Sequence, residues 1–219
     1  MKILVCSCDK NEDTFELFHH CMEKYYPNHP EVIYSMETLQ NPYYKTICKN
    51  YPLNQWTRRI RETLEEINDD KILLMIDDLF IRKRVDTDRI EDACSHLHGN
   101  IALMNFEKTF DLDDKETNLI GWYKRPHPSP YELSLMCGLW QKDKLIKVLE
   151  EDSDPWEVEI KQDTKGFDYL INSGDYIIDF GYKTFEHCGI KLGKWCRNTV
   201  PFAEKEGINI DFEKRGFYD

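Results

Sequence analysis

KILLMIDDLF, residues Lys71 to Phe80, is the stretch whose reading decides the fold. Ile72 to Ile76 form an apolar run with no polar alternation, as in a strand covered on both faces of a sheet. Two carboxylates, Asp77 and Asp78, follow where that strand leaves the sheet. In open α/β sheets, ligands bind outside the carboxyl ends of the strands. Adjacent carboxylates there repel each other unless a positive charge lies between them, and a divalent cation with oxygen ligands meets that need. The plainer alternative has Asp77 capping the next segment and Asp78 in water. On these residues alone both readings stay open.

Upstream, Leu53 to Ile67 reads as a helix, with Trp56, Ile60, Leu64 and Ile67 on one face. Arg58, Arg59 and Arg61 lie in it, either as a solvated basic face or with one of them, Arg59 the candidate, reaching the diphosphate of a ligand. Glu31 to Ser35 and Lys2 to Cys6 are short strands, and Asp13 to Tyr25 is a helix whose Phe15, Phe18, Met22 and Tyr25 recur at helical spacing. The order β-α-β-α-β predicts a parallel sheet with right-handed crossovers. The turn after the first strand carries Ser7, Cys8 and Asp9 but no Gly-rich fingerprint, which counts against a dinucleotide site and a P-loop. Ser7 and Asp9 are placed to hydrogen-bond a base or ribose; equally, Asp9 could cap the helix start.

Downstream, a helix is expected over Thr87 to Leu97 and strands over Asn100 to Asn105, Leu119 to Tyr123, Glu132 to Cys137 and Tyr176 to Phe180. Gly138 to Trp140 reads as a break, and Asp111 to Glu116 as a solvated acidic turn. Arg125 to Pro130 holds three prolines and is a loop, with His127 an exposed loop histidine. Lys142 to Leu149 is helical. At Asp152 to Glu159, Ser153 or Asp154 as N-cap and Pro155 at the first helical position make a helix start, with Trp156 as its anchor. Glu157 and Glu159 sit in the first turn, either stabilised by the helix dipole or serving as a general base. Phe185 to Trp195 carries Lys191 and Lys194, a basic patch able to meet a diphosphate, or else a solvated loop packed by its Trp. The segment to Asp219 is charged and expected on the surface.

The formal net charge of -12 excludes a general nucleic-acid binder, which needs clustered Lys and Arg. No run of about 18 apolar residues suggests a transmembrane helix. The N-terminus opens on a strand without a signal-peptide pattern, so a cytoplasmic location is expected. Eight cysteines without a C-x-x-C pair read as reduced thiols.

Taken in order, Ser7 and Asp9 after the first strand, Asp77-Asp78-Leu-Phe80, Leu133 to Trp140, Asp154 to Glu159 and Gly189 to Trp195 resemble a nucleotide-sugar-dependent glycosyltransferase of the GT-A fold. The resemblance is to the type found in bacterial polysaccharide clusters and large algal viruses. It implies a single α/β/α sandwich over residues 1–219 around a mixed, mostly parallel sheet. The Rossmann-like half, about 1–105, would bind the nucleotide, and about 106–219 would shape the acceptor site. It further implies Mn²⁺ or Mg²⁺ on the donor diphosphate, held by Asp77 and Asp78 with Asp78 the stronger candidate, and His187 as a further contact. Position 79 is Leu, a departure from the family's D-x-D spelling. In an inverting enzyme Glu159, or else Glu157, would be the base. The expected reaction moves a hexose or deoxyhexose from a nucleotide sugar, UDP-linked, to a glycan acceptor in polysaccharide biosynthesis. The alternative is a nucleotide- or glycan-binding module without turnover, and a nucleotidyltransferase on a similar sheet is a third reading.

Overall fold

A computed structural model describes residues 1–108, 115–128, 132–161, 163–181 and 189–218. Its first half is built from β1 (Lys2–Cys6), α1 (Phe15–Tyr25), β2 (Val32–Met36), β3 (Lys45–Cys48), α2 (Trp56–Glu65), β4 (Lys71–Ile76) and α3 (Thr87–His96). Then come β5 (Ile101–Lys108), β6 (Lys115–Glu116), β7 (Trp122–Lys124), β8 (Gly138–Gln141), α4 (Lys142–Val148), α5 (Pro155–Lys161) and β9 (Asp168–Asn172). The chain continues with β10 (Ile190–Lys191), β11 (Lys194–Trp195) and α6 (Thr199–Glu206).

Nine strands form one sheet in the order β3-β2-β1-β4-β8-β5-β9-β7-β6. The β3-β2-β1-β4 half is parallel throughout. β8 runs antiparallel between β4 and β5, and β9 is parallel to β5. The sheet is therefore mixed and mostly parallel, as expected. Alternation along the strands sends Ile3, Val5, Leu73 and Met75 into a core with α1, α3 and α6. Leu4, Ile72 and Leu74 pack on the other face with α2, α4 and α5. Two helical layers thus cover the sheet, which explains why β4 needs no polar alternation.

Several boundaries differ from the sequence reading. Glu132 to Cys137 is not a strand; the strand is Gly138–Gln141, the segment read as a break. Gly138 is required there because the neighbouring strand passes so close: a Cβ would lie 2.5 Å from Leu103 Cδ1 and 3.2 Å from the Asn105 Cα. Tyr176 to Phe180 is not a strand either. Ile177, Ile178 and Phe180 plug the core, and the Ile177 and Asp179 carbonyls accept from the Asp86 and Arg82 amides. The missing sheet position is taken by β9, and β3 is a further strand that the pattern did not expose. The expected strand at Leu119 to Tyr123 starts at Trp122. Residues 111–114 of the expected acidic turn lie outside the described residues, and Lys115–Glu116 is an edge strand. No disulfide links the described cysteines. No helix among the described residues is long and apolar enough to cross a membrane.

The largest correction concerns the segment after Trp195, which is no surface tail. α6 buries Phe202 and Ala203, and its Glu206 is held by α1 through Lys24 Nζ at 2.6 Å, the Tyr25 hydroxyl at 2.6 Å and His20 Nε2 at 2.9 Å. Burial opposes ionisation of Glu206, but the hydrogen bonds from Lys24, Tyr25 and His20 outweigh it and hold the carboxyl down to about 2. A carboxyl depressed in the folded state stabilises above its unfolded value of about 4.3 and loses that contribution as pH falls through the folded value. Glu206→Gln should therefore lower stability at pH 7 by about 1–3 kcal/mol. Urea unfolding from pH 7 to pH 2 should also show the variant losing less stability than wild type below about pH 4.

Candidate active site

β1 and β4 pair in parallel with Cys6 opposite Ile76, so the residues that follow, Ser7 and Asp77, emerge side by side. The Ser7 hydroxyl lies 2.5 Å from Asp77 Oδ2, and Thr14 Oγ1 lies 3.1 Å from the same oxygen. Asn11 Nδ2 donates to Oδ1 at 2.9 Å. Both oxygens of this buried carboxylate are thus occupied by the 3₁₀ turn Asp9–Thr14 and its flanks. Burial pushes Asp77 up to about 6, with those hydrogen bonds opposing the rise.

Asp78 differs. Burial, then the charge of Asp77, pushes it up to about 7, against the pull of Arg215. Its Oδ1 is buried and has no hydrogen-bond partner among the described residues. An unsatisfied buried carboxylate oxygen is costly, and a cation would remove both that cost and the repulsion from Asp77.

The loops beside the pair are braced from below. Arg59 is buried; its Nη2 donates to the Ser7 carbonyl at 2.7 Å and its Nη1 lies 2.6 Å from Glu37 Oε1. Glu37 Oε2 accepts from the Asp9 amide at 2.5 Å. The Asp9 carboxylate reaches the Thr38 and Leu39 amides, each at 3.0 Å, and the Thr38 hydroxyl. Burial raises Asp9, but these bonds prevail and hold it below the usual carboxylate range. Asp9 is therefore a half-exposed strut between the loops after β1 and β2, and it does not cap α1. Arg59 is likewise turned toward the scaffold, buried with its two Nη atoms on the Ser7 carbonyl and Glu37, while its buried Nε has no hydrogen-bond partner among the described residues.

Above the pair stands a hairpin. β10 and β11 set Lys191 opposite Lys194 across a turn in which Leu192 and Gly193 have φ of 51° and 77°. Both lysines are exposed, and Lys191 Nζ sits 4.5 Å from the Tyr218 ring centroid. Like charges directly opposite in an antiparallel pair repel each other. Its base, Gly189, bridges Leu79 and lies against the Asp78 carbonyl, where a Cβ would collide. The φ of Gly189 is 142°, which a side chain rarely adopts. His187 lies outside the described residues.

The second expected constellation separates. Glu157 is exposed and completes a capping box: its amide donates to Asp154 Oδ1 at 2.8 Å, and its Oε2 accepts from Ser153 Oγ at 2.8 Å. That hydrogen bond holds it below the usual range, and these contacts give it a place in the start of α5. Trp156 is 59% exposed and is no anchor; Val158 is the buried residue. Glu159 is raised by burial, with the bond from the Leu135 amide at 2.7 Å opposing and the charge of Glu107 adding. Glu107 follows Asn105 near the end of β5, which runs parallel to β4, and Ser134 Oγ lies 3.2 Å from its Oε2.

The residue reading missed Asn11, Thr14, Glu37 and Arg215. Each is an ordinary polar residue in a turn, and only the folded arrangement brings them to the acid pair. A paired signal did exist for Asp13 and Arg215, opposite charges at 2.5 Å, but 202 positions separate them.

No protein-family model matches the chain, and no curated protein matches it. Its architecture is similar to that of 2-C-methyl-D-erythritol 4-phosphate cytidylyltransferase from Thermus thermophilus, at TM-score 0.52 and 10% identity, covering 94% of this chain and 98% of that one. It is similar to the glycosyltransferase GlyE in Streptococcus pneumoniae, at TM-score 0.51 and 10% identity, covering 95% of this chain and 60% of that one. It also resembles HddC from Yersinia pseudotuberculosis, at TM-score 0.50 and 10% identity, covering 81% and 91%. The chain thus spans 60% of the length of GlyE. At these identities the likeness shows the fold, and the GT-A-type resemblance drawn from the sequence is met at that level.

The contact between Gly189 and the Asp78 carbonyl is testable. Gly189→Ala should keep a cooperative melt while displacing the 78–80 turn, seen as changed amide exchange at Leu79 and Phe80. Unchanged exchange there would show that hairpin and acid pair are not coupled.

Proposed function

We propose that the protein transfers a sugar from a nucleotide-sugar donor, UDP-linked, to a glycan acceptor, with a divalent cation at the end of β4. The observation that carries this reading is Asp78 Oδ1, a buried carboxylate oxygen with no partner among the described residues, at the ligand-binding edge of the sheet. Among the described residues no three His, Cys, Asp or Glu side chains converge as a metal cage. A Mg²⁺-type site needs only one or two carboxylates, with phosphate and water supplying the rest. Asp78 would hold it, and Asp77, occupied on both oxygens, would support from behind. The ion would neutralise charge on the departing nucleoside diphosphate.

In the transfer the bond from the anomeric carbon to the phosphate oxygen breaks and a bond to the acceptor oxygen forms. The nucleoside diphosphate leaves with the bonding pair, and the acceptor hydroxyl loses its proton. Lys191 and Lys194, exposed on the hairpin that starts at Gly189, would hold the diphosphate. Glu159 would accept the proton; the Leu135 amide holds its Oε1 at 2.7 Å.

Calorimetric titration of UDP and UDP-glucose, with and without Mn²⁺, tests the donor site. Binding should require the cation and vanish in Asp78→Ala, whereas undiminished binding or transfer in that variant overturns the reading. Glu159→Gln should lower turnover by about 10²–10⁴-fold with donor affinity kept. Weaker donor binding at unchanged turnover would make it a binding residue. The near-complete overlap with a cytidylyltransferase favours nucleotidyl transfer as a second reading. Release of pyrophosphate in place of a nucleoside diphosphate would establish it, and donor binding with neither product would indicate a binding module.

A further inference from the structure

Arg215 is nine-tenths buried, with 10% of its side chain exposed. Its Nε donates to Asp13 Oδ2 at 2.7 Å and its Nη2 to Asp13 Oδ1 at 2.5 Å, a bidentate clamp. The same Nη2 reaches the Lys10 carbonyl and lies 3.2 Å from Asn11 Oδ1. Asn11 in turn gives its Nδ2 hydrogen to Asp77. A continuous path therefore runs from Arg215 through Asn11 to Asp77, while the charge of Arg215 also pulls on Asp78.

The guanidinium is itself fixed. It lies over the buried Trp195 ring, 5.7 Å from the centroid. The Trp195 amide donates to the Gly216 carbonyl at 3.0 Å, and the Tyr218 amide donates to the Trp195 carbonyl at 2.9 Å. Residues 216–218 thus lie as a strand against β11, the hairpin whose base touches Asp78. The backbone holds Arg215 from both sides.

We propose that Arg215 is a positioning residue for the acid pair: by clamping Asp13, Lys10 and Asn11 it keeps Asn11 on Asp77, so that Asp78 alone is left to face the ligand. The proposal rests on the donor-site reading above. Without the clamp, Asp77 Oδ1 loses its donor inside the protein, and a carboxylate in that position turns toward whatever charge is nearest, including the cation proposed for Asp78. Asp77 and Asp78 would then compete for one ion.

The test compares Arg215→Lys, Arg215→Ala and Asp13→Asn with wild type. A lysine cannot reproduce the bidentate fork, so it should not rescue. In the ligand-free proteins, amide hydrogen exchange over residues 9–15 should rise at least about tenfold in all three variants, with β1 and β4 amides unchanged. Mn²⁺-dependent UDP binding should weaken about 10–100-fold in each, the size typical of groups that orient a metal ligand. Binding lost in the Arg215 variants but kept in Asp13→Asn would make Arg215 a direct ligand contact and overturn the positioning role. Unchanged exchange over residues 9–15 would overturn it as well. A lower melting temperature with exchange in that loop and binding unaltered at low temperature would reduce Arg215 to a stabiliser of the fold. If wild type binds no nucleotide with or without the cation, the donor-site reading fails and its consequence for Arg215 with it. Wild-type binding that survives the variants overturns the Arg215 proposal alone.

Discussion

The Asp77 carboxylate, sealed between the ends of two parallel strands, is the constraint on which the rest of the site depends. Parallel pairing of β1 with β4 puts Ser7 beside it, and the turn after β1 closes over it with Asn11 and Thr14. An ionisable group taken out of water needs hydrogen-bond donors, and three side chains meet that need here. Their supply fixes the path of residues 7–14, and that path fixes the start of α1. The acid pair is therefore asymmetric by construction. One member is consumed by the fold, and the other keeps a buried oxygen without a partner among the described residues.

The layers beneath explain why this asymmetry holds. Arg59 braces Ser7 from the α2 side, Glu37 joins it to the Asp9 amide, and the Asp9 carboxylate ties the loop after β1 to that after β2. Each of these side chains is charged, yet each is spent on the scaffold. Arg59 is the buried charge among them, and its Nη atoms are held by the Ser7 carbonyl and Glu37. A residue read in isolation as a ligand contact becomes, once its partners are counted, part of the frame that aims another residue.

What could be read from the chain follows from how local each signal is. The apolar run before Asp77, the 3.6-residue faces of α1 and α2, and Pro155 with its capping residues are local, and they placed the parallel half, its sandwich layers and the start of α5. The mixed half was harder because its central strand is short and begins at Gly138. A glycine ordinarily ends a strand, and here it admits one past Leu103 and Asn105. The run Tyr176 to Phe180 has the opposite character: its apolar residues face the core without pairing in a ladder, and composition alone does not separate the two. At the site, Asp77 and Asp78 were legible because adjacent carboxylates after a buried strand are locally anomalous. Arg215 was not, because its meaning lies in Asp13 and Asn11, at the other end of the sequence.

Charge gives the last step. The chain carries a formal net charge of -12, so its overall field repels a nucleoside diphosphate. At physiological ionic strength that field decays over about 8 Å, and only charges at the site decide binding. Lys191 and Lys194 of the β10–β11 hairpin are exposed cations paired across a turn, on the segment whose Gly189 lies against the Asp78 carbonyl. In the donor site proposed above, Asp78 would take the cation and the two lysines the diphosphate. A cation and a diphosphate bound together satisfy both, and either ligand alone satisfies only one. The two should consequently bind with positive coupling, each raising the affinity for the other by the same factor. Reciprocity itself is required by linkage, and the contact of Gly189 with the Asp78 carbonyl is the backbone route through which the hairpin and the acid pair would be coupled.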